Sequence, residues 1–214
     1  MAGVTRQGPM ERVPCGAMRK LIVLAFVSLD GVMQAPGGKG EDPSDGFDLE
    51  GWTVPYFDDV AGGVMAKQMG APFDLLVGRR TYDIFAGYWP NQDNDFFANC
   101  RKYVATHRPV ESDWSDTVPV TGDVVAEIRK LKDEDRPMLQ VHGSANLIQT
   151  LLAADLVDEL WLKTFPVLLR RGKRLFGEGT RPAAFSLTES TVTPSGVVFA
   201  SYRRDGDVKT GSFS

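Results

Sequence analysis

The stretch LLVGRRTYD, from Leu75 to Asp83, joins a short apolar run to a glycine, two arginines and a threonine. We predict a buried strand from Phe73 to Val77, followed by a helix from Arg79 to Phe85 with Thr81 in its first turn. The first amides of a helix have no partner inside the helix and lie at the positive end of its dipole. This junction therefore offers arginines and free amides at the end of a strand, a combination suited to a phosphate group.

The rest of the chain predicts further strands that alternate with helices, which is typical of a parallel sheet with helices on both faces. The last two strands, joined by a turn at Pro194-Ser195-Gly196, predict an antiparallel edge. We therefore predict one α/β domain at 18–205, a disordered extension at 1–17 and a tail at 206–214. The other predicted strands are Lys20 to Ser28, Tyr103 to Thr106, Met138 to Val141, Asp158 to Val167, Phe185 to Val192 and Val197 to Tyr202, and the other helices are Pro55 to Gly70, one that Asp123 caps and one that starts at Gly143-Ser144.

The composition of the chain excludes several classes of protein. It has 214 residues and a net charge of -4, which argues against a nucleic-acid partner because such proteins usually carry a basic excess. No apolar run approaches the length of a membrane span, and the polar first seventeen residues do not resemble a signal peptide. Cys15 and Cys100 are the only cysteines, so we expect no disulfide framework and a cytoplasmic location.

Polar residues follow the other predicted strands as well, and in a parallel sheet the carboxyl ends of the strands form the ligand-binding edge. Each group taken alone also fits an ordinary helix start, cap or turn. His107 and His142 lack the ligand spacing of a zinc site, so we expect no metal. The groups are Ser28, Asp30 and Gly31; Thr106, His107 and Arg108; and His142, Gly143, Ser144 and Asn146.

Six sequence motifs, taken in their order along the chain, resemble those of the dihydrofolate reductase-like superfamily, and within it those of the reductase domain of riboflavin biosynthesis. The resemblance covers nearly all of Met18 to Tyr202. It implies a three-layer fold with a mostly parallel central sheet and a C-terminal antiparallel hairpin. The motifs are SLDGVM (28–33), GWTVPYFDD (51–59), LLVGRRTYD (75–83), YVATHRP (103–109), VHGSANLIQTLL (141–152) and LVDELWLKTFPVLLRRGKRLF (156–176).

The resemblance also implies an NADPH site and assigns residues to it. The dinucleotide phosphates would lie at Gly78, Arg79, Arg80 and Thr81, and the adenosine 2′-phosphate at Thr106, His107 and Arg108. The pyrophosphate would lie against the backbone amides of Gly143, Ser144 and Ala145, and the neighbouring His142 and Asn146 would also bind the cofactor. The backbone of Ala25 and Phe26 would meet the nicotinamide. The substrate would face Ser28, Met33, Gln34, Trp52 and Phe57, beneath a loop formed by Asp30 to Gln34, and Asp30 and Asp58 are the candidate catalytic acids.

One departure from the family pattern bears on the substrate. Dihydrofolate reductases carry a carboxylate at the position of Phe57, and that carboxylate hydrogen-bonds the pterin; a phenylalanine cannot do so. We therefore expect an NADPH-dependent reductase of a small heterocyclic or carbonyl substrate, best represented by a phosphoribosylaminouracil. A dihydrofolate reductase and a nucleotide-binding protein without turnover remain the alternatives.

The assembly prediction comes from the strand Asp158 to Val167, which is too apolar on both faces for an exposed sheet edge. Members of the riboflavin reductase group are typically homodimers, and the resemblance implies the same here. We therefore predict a symmetric homodimer through this C-terminal part of the sheet. The alternative is that later strands of the same chain cover it.

Overall fold

The central strand of the fold is β1, Leu21–Ser28, and nearly all of its residues are buried. The computed structural model, which describes residues 18–111 and 114–213, places β1 between two parallel neighbours, β5 (Met138–Gly143) and β6 (Glu159–Phe165). A strand with parallel partners on both sides and helices over both faces has no solvent-facing side, which explains its continuous apolar run. The predicted first strand is confirmed.

The sheet has eight strands in the order β4-β3-β2-β5-β1-β6-β8-β7. The first six of these are parallel, and the β6-β8 and β8-β7 pairs are antiparallel, as the sequence predicts. The remaining elements are α1 (Asp59–Gly70), β2 (Phe73–Gly78), α2 (Arg79–Tyr88), β3 (Lys102–Ala105), β4 (Thr117–Val120), α3 (Val124–Lys132), α4 (Ala145–Ala153), β7 (Phe185–Val192) and β8 (Val198–Arg204), with short 3-10 turns at Ser44–Gly46, Val54–Tyr56 and Trp89–Asn91.

Helices cover both faces of the sheet. Because alternate residues of a strand point to opposite faces, a single strand packs against the helices on both sides. On β2, Leu76 packs in a core with Ile128 of α3 and Ile148 of α4. Leu75 of the same strand packs in another core with Tyr82 of α2. The three-layer architecture predicted from the sequence is confirmed.

Two elements differ from the prediction near prolines. The helix expected from Pro55 begins at Asp59, because Pro55 lies in a 3-10 turn and Phe57 is extended, leaving Asp58 as the cap. The sequence analysis missed β4, whose TVPV sequence includes Pro119. Its pairing with β3 alone makes β4 an edge strand, where a residue without an amide proton is tolerated.

The reason given for a dimer is wrong, although the dimer itself stays a prediction. The strand predicted at Asp158 to Val167 is β6, and it lies between β1 and β8 inside the sheet. Its apolar residues are covered by the same chain, so no second copy is needed to cover them. The edge at this end of the sheet is β7, where Leu187 and Val192 are exposed.

Candidate active site

The site begins where β2 and β5, which pair side by side, each run directly into a helix. Gly78 ends β2 and Ser144 precedes α4, and the two residues touch. A β-carbon placed on Gly78 would lie 2.3 Å from Oγ of Ser144. Any side chain at position 78 would therefore push the two strand-to-helix junctions apart.

A second close contact joins the same junctions from the other side. A β-carbon on Gly143 would lie 2.6 Å from Oγ1 of Thr81, and the φ of Gly143 is +153°, which other residues rarely adopt. The peptide bond between Gly143 and Ser144 is cis. The N-termini of α2 and α4 thus converge at one edge of the sheet, and their free amides form a setting for an anionic group.

The side chains of Arg79 and Arg80, the two arginines of LLVGRRTYD, point in different directions. Arg80 lines the cleft described below and forms an ion pair with Asp42, with 2.6 Å between Nη2 and Oδ1. Arg79 turns away along α2, where it pairs with Asp83 at 2.8 Å and donates to the carbonyl of Pro109. The sequence could not show that the two neighbouring cations serve different parts of the edge.

The turn after β3 lies beside Arg79. The hydroxyl of Thr106 accepts from the amide of Arg108 at 3.0 Å and is 2.9 Å from its carbonyl oxygen, so Thr106 is buried as a local brace. His107 and Arg108 are exposed. The structure therefore brings Arg79, His107 and Arg108 to a common surface, some way along the edge from Arg80.

A cleft of about 580 Å³ extends from the two junctions across the sheet and between α1 and α2. Its wall on the far side is the loop from Met33 to Asp42. Of the residues assigned from the sequence, ten line it. These are Phe26, Met33, Gln34, Phe57, Arg80, Thr81, His142, Gly143, Ser144 and Ala145.

His142 lies in the cleft wall among the rings of Phe73, Phe85 and Phe97. Its Nε2 is 3.0 Å from Oε1 of Gln140. Burial, together with the nearby Lys163, lowers the pKa of His142 to about 3. The imidazole is therefore neutral near pH 7 and adds no positive charge for an anion.

Lys163 on β6 is fully buried, with Nζ 5.9 Å from the ring centre of Phe26. It donates to the carbonyl of Trp161 at 3.3 Å, and burial lowers its pKa well below the ordinary value. The residue is not among those that line the cleft. Lys163 thus places an amine behind Phe26, outside the cleft lining.

The two carboxylates predicted as acids have structural partners and do not line the cleft. Asp30 accepts from the Ser28 hydroxyl at 2.6 Å and from the amides of Leu169 and Arg170. Burial acts to raise the pKa of Asp30, but these hydrogen bonds together lower it to about 2. Their effect is to hold the loop after β1 against the turn after β6.

Asp58 caps α1 by accepting from the amide of Ala61 at 2.9 Å, and this bond lowers its pKa. Its other oxygen accepts from the amide of Ser195 in the β7–β8 turn. With both oxygens engaged, the carboxylate fixes the start of α1. A role for Asp58 in proton transfer stays a prediction.

Four further residues that were assigned from the sequence do not line the cleft. The indole of Trp52 is buried and donates to the carbonyl of Gln34 at 2.8 Å, which holds the cleft loop. Ser28 is buried and accepts from the amide of Val32. Ala25 points into the core on the α3–α4 side, and Asn146 is exposed on α4.

The sequence analysis missed the charged residues of the loop. Asp42 pairs with Arg80 and, at 2.7 Å, with Lys173, so it ties the loop to α2 and to the turn after β6. Glu41 lines the cleft, and its Oε2 accepts from the amides of Gly37 and Gly38. The two ion pairs of Asp42 join residues about 40 and 130 positions apart, so no local sequence pattern predicts them.

Apolar residues of α1, α2 and the segment after α2 form the part of the cleft away from the junctions. We call this part the apolar arm, and Gly62 of α1 leaves it open on one side because it has no side chain. Its lining residues are Gly62, Met65, Ala66, Met69, Ile84, Phe85, Trp89, Phe96 and Phe97. The methionines at 65 and 69 are four residues apart on α1, and neither was predicted from the sequence to belong to the site.

Within residues 18–111 and 114–213, no group of three or more His, Cys, Asp or Glu side chains could hold a metal ion. No helix in the same ranges is long and apolar enough to cross a membrane.

Solved structures with this architecture include three that are each under 25% identical to this chain in sequence. A Shewanella sp. PV-4 protein provisionally assigned to riboflavin biosynthesis is 24% identical, with a TM-score of 0.63 over 87% of this chain and 99% of that one. A pyrimidine reductase-like protein from Corynebacterium diphtheriae is 14% identical, with a TM-score of 0.57 over 88% and 93%. Dihydrofolate reductase from Enterococcus faecalis, in complex with NADP(H) and RAB-propyl, is 15% identical, with a TM-score of 0.58 over 87% and 96%.

The fold is therefore dihydrofolate reductase-like, as the sequence motifs suggest. The family is more specific: residues 19–199 match the RibD C-terminal domain, and the chain belongs to that family. A relative in sequence, the uncharacterized protein YyaP of Bacillus subtilis (strain 168), is 26% identical over 200 residues, covering 88% of this chain and 96% of that protein.

Proposed function

We propose that the protein is an NADPH-dependent reductase of a small heterocyclic or carbonyl compound. The observation that carries the proposal is the convergence of the α2 and α4 N-termini across Gly78 and Gly143. Two helix starts that lie this close together can offer their free backbone amides to one anionic group, which suits a pyrophosphate. The membership of the RibD C-terminal domain family supports the same conclusion.

The residues present fit NADPH. The absence of a β-carbon at Gly78 and at Gly143 lets the two helix starts approach until these glycines contact the Ser144 and Thr81 side chains, and Arg80 lines the cleft beside them. Arg79, His107 and Arg108 form a second cationic surface, suited to a phosphate monoester on the adenosine ribose. We propose that Arg80 serves the pyrophosphate and the second group the 2′-phosphate.

NADPH supplies a hydride when bound, so the protein's contribution is orientation and electrostatics. Phe26 on β1 lines the cleft between the junctions and the apolar arm, where the nicotinamide and the substrate would meet. The loop from Met33 to Asp42 forms one wall of the cleft. A water molecule is the proposed source of the proton; Asp30 and Asp58 do not line the cleft, so either of them would have to act through such a water.

The family name favours a phosphoribosylaminouracil as the first substrate to assay. Dihydrofolate is the second, and Phe57 weighs against it because its ring lines the cleft where that group of enzymes carries an acid. A nucleotide-binding role without turnover is the third possibility. All three share the cofactor half of the site, so cofactor binding and turnover must be measured separately.

Isothermal titration with NADPH and NADH, followed by NADPH oxidation with a substrate panel, tests the proposal. We expect NADPH to bind about tenfold to thousandfold more tightly, since each charge-assisted hydrogen bond contributes about 1.5–3 kcal/mol. Equal dissociation constants would refute the NADPH assignment. Tight binding without oxidation of NADPH across the panel would favour the non-catalytic alternative.

A further inference from the structure

Two hydrogen bonds connect the imidazole of His142 to the backbone of α1. Nε2 of Gln140 donates to the carbonyl of Gln68 at 3.1 Å, and Oε1 of the same Gln140 amide lies 3.0 Å from Nε2 of His142. Gln140 is fully buried. The polar end of its side chain thus links the floor of the cleft, on β5, to the helix that covers it.

The bond to Gln68 fixes the orientation of the Gln140 amide, and the amide fixes the tautomer of His142. A flipped amide would set its oxygen against the carbonyl oxygen of Gln68, which can only accept. Oε1 of Gln140 therefore faces His142, and because an amide oxygen only accepts, the proton is on Nε2 of the imidazole. The ring is neutral because burial lowers its pKa, so Nδ1 carries no proton and can only accept a hydrogen bond.

This acceptor belongs to the cleft. Nδ1 of His142 has no hydrogen-bond partner within residues 18–111 and 114–213. The imidazole is half-buried and lines the cleft, so its uncovered part faces the cleft. The register of β5 with β1 places His142 beside Leu24, another lining residue. The sheet floor of the cleft therefore carries an acceptor that Gln140 holds from behind.

Other side chains of the lining also have polar atoms without a hydrogen bond among the same residues, but their chemistry differs. The hydroxyls of Thr81 and Ser144 can donate or accept, and they lie at the two strand-to-helix junctions, where the pyrophosphate is proposed to bind. The indole N–H of Trp89 can only donate. Oε1 of Glu41 accepts, but it lies on the loop wall. The acceptor on the sheet itself is Nδ1 of His142.

Resting on the proposed function, we infer that His142 is a specificity-determining residue, whose Nδ1 accepts a hydrogen bond from an N–H or O–H group on the ring of the substrate. The ring packs against Phe85 and Phe97, which flank the imidazole and line the apolar arm. A ring without a donor at this position leaves the acceptor unpaired, which costs binding. The substrate class is thus heterocycles and aromatic carbonyl compounds that carry an N–H or O–H group, and the N–H groups of an aminouracil meet this requirement.

The test uses two pairs of ring compounds that differ by a single donor: indole with 1-methylindole, and 2-naphthol with 2-methoxynaphthalene. Isothermal titration uses the chain saturated with NADP⁺, so that the junctions are filled and no turnover occurs. We expect the donor-bearing member of at least one pair to bind about threefold to tenfold more tightly than its methylated partner. Equal binding within both pairs, or no binding of any of the four compounds, would overturn the inference.

The variant His142→Phe makes the test specific, because it removes the acceptor and keeps an aromatic ring beside Phe73, Phe85 and Phe97. We expect it to bring the two members of each pair within about twofold of each other. Tyr202→Phe is the matched control: it removes one polar atom from a half-buried ring that packs on the α3–α4 side, outside the cleft lining, and should keep the wild-type preference. A preference that survives in His142→Phe would assign the acceptor to another group and overturn the inference.

Nitrogen NMR of the protein labelled at histidine reads the tautomer of the wild-type ring, so it does not depend on how His142→Phe folds. A His107→Asn variant assigns the signals. We expect His142 to carry its proton on Nε2, and the Nδ1 signal to shift when indole or 2-naphthol binds but not when the methylated partner is added. A proton on Nδ1, or an Nδ1 signal that neither donor-bearing compound moves, would overturn the inference.

The cofactor is a second source of the same chemistry, since its ribose hydroxyls are also donors. We expect His142→Phe to leave the dissociation constant of NADP⁺ within about threefold of the wild-type value. A loss of tenfold or more in NADP⁺ affinity, with the ring preference unchanged, would assign the donor to the cofactor and overturn the inference.

Failure of the proposed function would look different. If neither NADPH nor NADP⁺ binds, the function proposal falls, and the two pairs of compounds are then titrated into the chain alone. A preference for the donor-bearing compounds that His142→Phe abolishes would still support the acceptor role of His142, and the lack of such a preference would refute it.

Discussion

Gly78 and Ser144 are in direct contact, with 2.3 Å between the position of a β-carbon on Gly78 and Oγ of Ser144. The two residues are 66 positions apart in the sequence, and the pairing of β2 with β5 brings them together. This contact sets how closely the starts of α2 and α4 approach. It is the feature on which the proposed phosphate site depends.

Replacement of Gly78 by alanine should therefore destabilise the fold and weaken NADPH binding. The backbone of Gly78, with φ −74° and ψ 158°, suits alanine, so the cost comes from the clash alone and should be about 1–3 kcal/mol. Urea unfolding and NADPH titration measure the two effects.

Gly63→Ala is the matched control, because Gly63 lies in α1 with nothing within 4 Å of a β-carbon. It should raise the free energy of unfolding by about 0.5–1 kcal/mol, since alanine favours helix more than glycine does. If Gly78→Ala behaves like this control, the close contact does not constrain the junction.

The divergence of Arg79 and Arg80 predicts different cofactor effects for two neighbouring residues. Arg80→Gln should weaken NADPH and NADH alike, by about tenfold to hundredfold, because both cofactors carry the pyrophosphate. Arg79→Gln should weaken NADPH but leave NADH within about threefold, because only NADPH carries the 2′-phosphate. The dissociation constants of both cofactors in both variants test this prediction. A reversed pattern would assign Arg79 to the pyrophosphate and Arg80 to the 2′-phosphate.

Phe57 predicts feeble reduction of dihydrofolate. Its side chain is 47% exposed at the cleft and cannot hydrogen-bond a pterin. Loss of a positioned acid typically lowers a rate by about 10²–10⁴-fold. Rapid NADPH-dependent reduction of dihydrofolate at neutral pH by the wild-type protein would contradict the prediction.

The variant Phe57→Asp asks whether the cleft is otherwise shaped for folate. If it is, the variant should gain dihydrofolate turnover relative to the wild type. Leu49→Asp, at another exposed apolar position that does not line the cleft, is the control and should gain none.

The lowered pKa of His142 predicts how the stability of the fold depends on pH. Burial and Lys163 lower its pKa to about 3, whereas a histidine in an unfolded chain titrates near about 6.5. A lowered histidine pKa means that the unfolded chain binds the proton more readily. The stability that the neutral imidazole contributes is therefore present above about pH 6.5 and is lost as the pH falls toward 3.

NMR of the imidazole rings measures this directly. The chain has two histidines, so a His107→Asn variant assigns the remaining signals to His142. We expect those signals to stay in the neutral form between pH 8 and about pH 5. A titration midpoint above pH 5 would show that the ring is more hydrated than its aromatic surroundings indicate.

The homodimer is still predicted, with a changed location. Since β6 is interior, the exposed edge at the C-terminal end of the sheet is β7, with Leu187 at 56% and Val192 at 66% exposure. Light scattering should give twice the 23.5 kDa of one chain. A mass of one chain at micromolar concentration would refute the dimer.

If a dimer forms, the double variant Leu187→Lys and Val192→Lys should give monomers, because charges along an edge strand oppose pairing. Its NADPH affinity should be retained, since the phosphate junctions lie at β2 and β5. Leu49→Lys, an exposed loop position, is the control and should remain dimeric.

Much of the fold was predictable because local patterns of apolar and polar residues indicate where strands and helices form. The apolar run of β1 and the glycine that ends β2 predicted the bounds of these two strands to within a residue or two. β4 was missed because its short TVPV segment contains a proline and is stabilised by pairing with β3. The order of strands was accessible only through the resemblance to a known superfamily.

By itself, the sequence determined which residue types follow each strand, and therefore that arginines, glycines and helix starts gather at one sheet edge. Only the tertiary structure decided which of them share a site. Arg80 enters the cleft while Arg79 leaves it, and Asp30 and Asp58 are held as caps and loop braces. The reason is physical: strand and helix patterns arise from neighbouring residues, but the ion pairs of Asp42 and the contact of Gly78 with Ser144 join segments that only folding brings together.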